Sequence, residues 1–293
     1  MQNTPAPKTS VRTEGTTRGY VPHTPHDRVS HLLSQALSEL ESKHKPNDGQ
    51  DLHVAMKILD EARHVIDGYD TYVAAHSSPH PDIVGRMLEA GDHRDWERVY
   101  REGRTQFRLI PEMSAGGYEG VVLQQLAKIS KAKNILEIGM FTGTTTVSLA
   151  LVPTVRKVTT LDIEPYLKDI NVPYFVQAGV AHKIDIRIGD AMTSLDTLDQ
   201  ENASFDMIFI DADKPSYTKY FTRIMSSSHL LAQGGLIAVD NVAFKGAPWA
   251  SAAMYDMGEH IHSFNETVRQ RADVEVVILP IEDGISLIRR KEE

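Results

Sequence analysis

The chain contains no cysteine. That excludes disulfides, thiolate nucleophiles and cysteine-ligated zinc, and it suits a cytoplasmic compartment. Long apolar runs are also missing: nothing approaches the roughly 20 residues that a membrane-spanning helix needs. The opening MQNTPAPKTSVRTEG lacks the apolar core of a signal peptide. Positive charge is in short supply, with 31 Lys and Arg against 40 Asp and Glu and a formal net charge of −9. Non-specific nucleic-acid binding requires the opposite balance. Small molecules are the partners left. Hydrophobic residues make up 41% of the 293, enough for one large globular domain or one domain with an appendage.

Residues 1–22 are rich in Pro, Thr, Gly and charge, and are expected to form a disordered arm. Residues 23–112 read as a helical region. Leu32, Leu33, Ala36, Leu37 and Leu40 recur at helical spacing, and a second amphipathic helix is expected from Asp51 to Asp67. Short helices near Ile83–Ala90 and Arg94–Arg104 follow. Residues 113–293 read differently. Strands are expected near Asn134–Ile138, Lys157–Leu161, Ile184–Ile188, Met207–Ile210 and Leu236–Val239, separated by helices. This alternation predicts an α/β fold with a Rossmann-like, mostly parallel sheet covered on both faces. Val274–Ile281 and Ile285–Arg289 flank an Asp283-Gly284 turn, so an antiparallel hairpin should close a seven-stranded sheet.

The chemistry is expected at the strand ends. The apolar run Met207–Ile210 stops at Asp211-Ala212-Asp213-Lys214, and Leu236–Val239 stops at Asp240-Asn241. Ligands of open parallel sheets bind beyond the carboxyl ends of the strands. If these two strands are neighbours, Asp211, Asp240 and Asn241 offer three oxygen donors at one point, suited to Mg²⁺, Mn²⁺ or Ca²⁺. After the first strand, Gly139 and Gly143 bound a loop whose backbone amides face a ligand. The spacing GxxxG is not the GxGxxG of nicotinamide-binding folds. Glu137 beside the loop can receive an ammonium, Asp162 can accept ribose hydroxyls, and Thr145 can donate to a carboxylate. A ligand with those three features is S-adenosylmethionine. Trp249, after Pro248, is a candidate to line the acceptor pocket.

These residues resemble a known family. Glu137-Ile-Gly139-Met-Phe-Thr-Gly143, Leu161-Asp162, Gly189-Asp-Ala191, Phe209-Ile-Asp-Ala-Asp-Lys214 and Val239-Asp-Asn241 are similar to motifs of cation-dependent O-methyltransferases of the caffeoyl-CoA and catechol type. Leu279-Pro-Ile-Glu-Asp-Gly284 and Leu287-Ile-Arg-Arg290 resemble their final hairpin. Within that family the pattern is most similar to mycosporine-pathway enzymes that form 4-deoxygadusol. The resemblance implies metal ligands at Asp211, Asp240 and Asn241 and a base at Lys214. It also implies cofactor contacts from Met113, Glu137, Gly139, Thr145, Asp162, Ala191, Asp211 and Asp213. Phe244 stands where plant members carry a Trp facing the acceptor, Ala115 where they carry Thr, and Thr145 where they carry Ser. A homodimer is the implied assembly.

The expected reaction is methyl transfer from S-adenosylmethionine to a hydroxyl of a small vicinal-oxygen ring compound, demethyl-4-deoxygadusol first and a catechol second. Two alternatives stay open. One is a methyltransferase acting on a carboxylic acid without metal; the other is a non-catalytic binding module. Chelation of a metal by His260 and His262 is disfavoured, because side chains two apart diverge on a helix. Tyr217 and Tyr220 are expected to pack the helix after Lys214.

Overall fold

The computed structural model describes residues 24–43, 50–250 and 257–291. The expected arm at 1–22 lies outside the described residues, as do residues 44–49 and 251–256. Helices α1 (Pro25–Lys43), α2 (Gln50–Ala75), α3 (Asp82–Asp92) and α4 (Trp96–Arg101) come first, then α5 (Gly116–Ile129). The alternating half follows as β1 (Asn134–Ile138), α6 (Thr144–Ala150), β2 (Lys157–Asp162), α7 (Pro165–Gln177), β3 (Ile184–Ile188), α8 (Ala191–Gln200), β4 (Phe205–Ile210), α9 (Tyr217–Ser226) and β5 (Leu231–Val239). Helix α10 (Met257–Arg269) precedes the hairpin β6 (Val274–Leu279) and β7 (Ile285–Arg290).

The seven strands form one sheet in the order β3-β2-β1-β4-β5-β7-β6. Strands β1 to β5 are parallel, and β7 runs antiparallel to both β5 and β6. The chain leaves β1 in one direction for β2 and β3, then returns to the other side for β4 and β5. That reversal puts a crevice between β1 and β4, where open α/β sheets bind ligands. The central strands are apolar along their length because helices cover both faces. Leu136, Ile138, Ile208, Ile210, Ile237 and Val239 turn to one side, with Tyr217, Phe221, Ile261 and Phe264 above them. Ile135, Met207, Phe209 and Ala238 turn to the other, against Leu123, Ala127 and Leu149. Each fully buried side chain of this size contributes roughly 1.5–3 kcal/mol.

Helices α3 and α4 do not form a separate unit. Ile83, Val84, Met87, Trp96 and Val99 share a core with Met140, Val147, Tyr166, Leu167 and Phe175, so residue 112 is not a packing boundary. Helices α1 and α2 pair with each other, and α1 reaches the strand ends. There Arg28 Nη1 donates to the carbonyls of Lys245 at 3.0 Å and Ala250 at 3.2 Å. The α1–α2 pair therefore sits over the loop that follows β5.

Candidate active site at the carboxyl ends of β1, β4 and β5

Three short backbone bonds align the ends of the central strands. Gly139 N donates to Leu161 O at 2.9 Å, Asp211 N to Ile138 O at 2.9 Å and Asp240 N to Ile210 O at 3.0 Å. Gly139, Asp211 and Asp240 thus leave the sheet in one layer. At Gly139, φ is +102°, and a Cβ there would sit 1.8 Å from the Asp211 carbonyl oxygen. Only glycine tolerates that approach.

The loop after β1 is held by side chains. Asp162 Oδ2 accepts from Met140 N at 3.1 Å and Phe141 N at 3.0 Å, while Oδ1 accepts from Glu164 N at 2.9 Å. Burial raises the Asp162 pKa, and these three amide bonds oppose the rise. Glu137 Oε2 accepts from the Thr146 and Thr160 hydroxyls at 2.5 Å each. Its Oε1 has no partner among the described residues, and burial pushes the group up to about 8. Thr145 is buried in the first turn of α6. The buried Thr142 Oγ1 and Ser114 Oγ likewise lack partners among the described residues. Met113 ends the 111–113 turn, 45% exposed. Ala191 opens α8, which Asp190 caps through Thr193 N at 2.8 Å. Asp213 Oδ1 accepts from the Tyr220 hydroxyl at 2.5 Å. A glycine cradle fringed by unpartnered hydroxyls and a carboxyl oxygen fits a ligand with amino-acid and ribose parts.

The β4–β5 half is built from buried charge. Lys214 Nζ donates to Asp211 Oδ1 at 2.9 Å and lies 5.2 Å from the Tyr217 ring centroid. Burial disfavours the Lys214 ammonium, but Asp211, Tyr217 and Asp240 outweigh it and hold its pKa above the ordinary value. Asp240 is 3% exposed; burial, then the Asp211 charge, drive its pKa upward. Asn241 Nδ2 donates to Asp283 Oδ2 at 3.4 Å, which leaves the amide oxygen as the atom a cation could use. No three His, Cys, Asp or Glu side chains among the described residues are placed to hold a metal. The donor set here is two carboxylates and an amide.

The chain is strained along this rim. Asn241 (φ +58°), Phe244 (+25°), Lys245 (+57°) and Glu282 (+48°) all adopt left-handed backbone, which costs of order 1–3 kcal/mol per non-glycine residue and concentrates at functional sites. Lys245 N donates to Asp283 Oδ1 at 2.5 Å. Burial lifts Asp283 to about 7 and, with Asp70 and Asp27, lifts Glu282 to about 7. Phe244 packs against the main core, and Trp249 is 67% exposed beside Gly246. His260 and His262 point to solvent on either side of buried Ile261. His26 Nδ1 lies 3.3 Å from Asp70 Oδ1.

The sequence reading passed over Glu119. It is 2% exposed, and its Oε1 has no partner among the described residues. Burial, then Asp240 and Asp211, raise its pKa well above the ordinary value. The signal was available: Glu119 falls in line with buried Leu123 and Ala127 at i, i+4 and i+8, a carboxylate on the apolar stripe of a helix.

Comparison with known proteins follows the same lines. A family model described as O-methyltransferase matches residues 91–291. Tricin synthase 2 of Oryza sativa subsp. japonica is 32% identical over 287 residues, covering 91% of this chain and 92% of its own length. A caffeoyl-CoA O-methyltransferase of Zinnia elegans is 38% identical over 189 residues, covering 61% and 76%. Among solved structures, the O-methyltransferase TomG of Streptomyces achromogenes, in complex with S-adenosylmethionine, is 27% identical with a TM-score of 0.63, covering 77% of this chain and 96% of its own. The Bacillus cereus O-methyltransferase, in complex with S-adenosylhomocysteine, is 25% identical with a TM-score of 0.62, covering 76% and 97%. This chain belongs to the caffeoyl-CoA type of the O-methyltransferase family and is an S-adenosylmethionine-dependent O-methyltransferase.

Proposed function

We propose that this enzyme uses a divalent cation to methylate one hydroxyl of a small ring compound with two adjacent oxygens, a demethyl-4-deoxygadusol-like or catechol-like acceptor. The observation that carries this reading is a charge imbalance. Asp211 and Asp240 end adjacent strands, Asp240 buried and Asp211 half-buried, with the Lys214 ammonium the only cation bonded to either among the described residues. Uncompensated buried charge is expensive. Asp211, Asp240 and the Asn241 amide oxygen are the residues that would hold the ion, and an all-oxygen set suits Mg²⁺, with Mn²⁺ or Ca²⁺ as substitutes. Such an ion, when bound, lowers the pKa of a coordinated hydroxyl and fixes its direction.

The chain's own groups do the rest. Glu137, Gly139, Thr145, Asp162 and Ala191 hold the methyl donor. Asp213, tied to Tyr220, fixes the β4–α9 turn against it. Lys214 acts as an ammonium that orients Asp211 and the acceptor oxygen. The base role expected for it requires Asp211 to be engaged elsewhere. Phe244 forms the wall beside the acceptor, under the α1–α2 pair. With Asp211 so engaged and Lys214 released as the neutral amine, the acceptor hydroxyl gives its proton to Lys214. The acceptor oxygen forms its bond to the methyl carbon as the carbon–sulfur bond breaks in line, and the sulfonium leaves as a neutral thioether. Orientation supplies most of the acceleration.

One observation favours a second reading. The 2.9 Å pair between Lys214 and Asp211 already neutralises one carboxylate, as a metal-free enzyme acting on a carboxylic acid would need. Methyl transfer from labelled S-adenosylmethionine with Mg²⁺ or with chelator separates the two. Turnover of catechols that chelator abolishes is expected; turnover of carboxylic acids indifferent to chelator would overturn the proposal.

A further inference from the structure

We propose that Glu119 is an acceptor-binding residue, its carboxyl group taking a hydrogen bond from the acceptor hydroxyl that lies beside the Asp211–Asp240 pair. The inference rests on the reading of a vicinal-oxygen acceptor given above. Three observations support it. Glu119 is 2% exposed, so its carboxyl has no water to turn to. Its Oε1 has no hydrogen-bond partner among the described residues, and a buried polar atom left unmatched destabilises the free protein. The charges it feels most strongly are Asp240, Asp211, Glu282 and Lys214, all on the acceptor side of the crevice.

The neighbours decide what the carboxyl is for. Two other buried acids keep an unpartnered oxygen among the described residues. One is Glu164, whose Oε1 holds the amides of Gln106 and Phe107. The other is Glu137, which feels Asp211 and Asp162 and carries two threonine hydroxyls under the glycine loop. It serves the cofactor side. Glu119 lies on α5, one and two turns before Leu123 and Ala127, which share a core with Met207 and Phe209 of β4 and Ala238 of β5. Next to it Gly120 lies so close to Ser148 that a Cβ would come within 2.9 Å of its hydroxyl, which seats α5 on α6 at this turn. Asp211, Asp240 and Asn241 supply the oxygens for the proposed ion, which leaves the Glu119 carboxyl for the acceptor. What remains unmatched beside the paired aspartates is a hydroxyl donor, and a ring with adjacent oxygens provides one.

A residue retained for a ligand is costly to the free protein. The test uses the full chain as wild type, Glu119→Gln and Glu119→Met, each with Mg²⁺. Three quantities are read: Kd of S-adenosylhomocysteine by calorimetry, kcat and KM for 3,4-dihydroxybenzoate, and Tm without acceptor. Both variants should lose about tenfold or more in kcat/KM, chiefly through the acceptor KM in Glu119→Gln, with the S-adenosylhomocysteine Kd within about twofold. Glu119→Met, which removes an unmatched carboxyl, should raise Tm. A lower Tm with kcat/KM intact would make Glu119 a structural residue and overturn the inference. So would a weakened S-adenosylhomocysteine affinity with unchanged acceptor KM. If the wild type itself fails on the catechol, the proposed acceptor class falls, while the Tm and Kd of the variants still decide on Glu119.

Discussion

The two halves of the strand-end crevice are built on opposite principles. On the β1–β2 side, backbone does the work. A glycine cradle is tied down by three amide bonds to Asp162 and by two hydroxyls on Glu137. On the β4–β5 side, the Asp211 and Asp240 carboxylates stand together with one lysine, bonded to Asp211, on a rim of left-handed residues. The first half is largely complete in itself, so its ligand is received by a preformed shape. The second is unbalanced, so it is completed only by what binds there. Pre-organised amides give a methyltransferase its common donor; unbalanced charge and loops give each member its own acceptor.

The largest effect should come from the unbalanced half. Asp240→Ala should cut kcat/KM by about 100-fold or more, while calorimetry finds S-adenosylhomocysteine affinity little changed. Activity near wild type would erase the distinction between the halves. Gly139→Ala attacks the other side. Its Cβ would fall 1.8 Å from the Asp211 carbonyl, so the loop must move. S-adenosylhomocysteine affinity should drop about tenfold or more, with a lower Tm.

A pH series sharpens the comparison further. Glu137 titrates at about 8 in the folded chain against an ordinary value of 4.5. The native state therefore keeps a proton that the unfolded state releases. Stability is fully present below about pH 4.5 and is lost as pH rises through about 8. Asp283, lifted to about 7, adds a loss of the same sign that ends earlier. Tm should fall from pH 5 to 9, and Glu137→Gln should flatten that slope; an unchanged slope would deny Glu137 its buried, raised state. The smallest effect is expected where α1 meets the loop after β5. Arg28→Ala, which removes the bonds to Lys245 O and Ala250 O, should raise the acceptor KM about two- to fivefold and leave the donor KM alone.

Much of this was legible in the sequence because it is local. The strand ends at Asp162, Asp211 and Asp240, the glycine loop and the Asp283-Gly284 turn each announce themselves within a few residues. Non-local features were not. β5 starts at Leu231 rather than Leu236, because Gly234-Gly235 belongs to an irregular stretch where pairing with β4 slips. Helix α2 runs on past Asp67 through Gly68 to Ala75, since pairing with α1 offsets the glycine's cost of about 1 kcal/mol. The three backbone amides that fix the Asp162 carboxylate come to it only in the folded loop. The ion pair that holds Lys214 as an ammonium in the free chain likewise forms only when the turn after β4 folds. Glu119 lies in plain view on an apolar helix face, and only the fold shows that its carboxyl is left without a partner among the described residues and feels the Asp240 and Asp211 charges.

One measurement tests the central claim most directly: methyl transfer from labelled S-adenosylmethionine to a panel of demethyl-4-deoxygadusol, catechols, caffeoyl-CoA and simple carboxylic acids, each with Mg²⁺ or chelator, for wild type and Asp240→Ala. The account predicts turnover of a vicinal-oxygen acceptor that both chelator and the substitution abolish. Turnover indifferent to chelator and to Asp240 would contradict it.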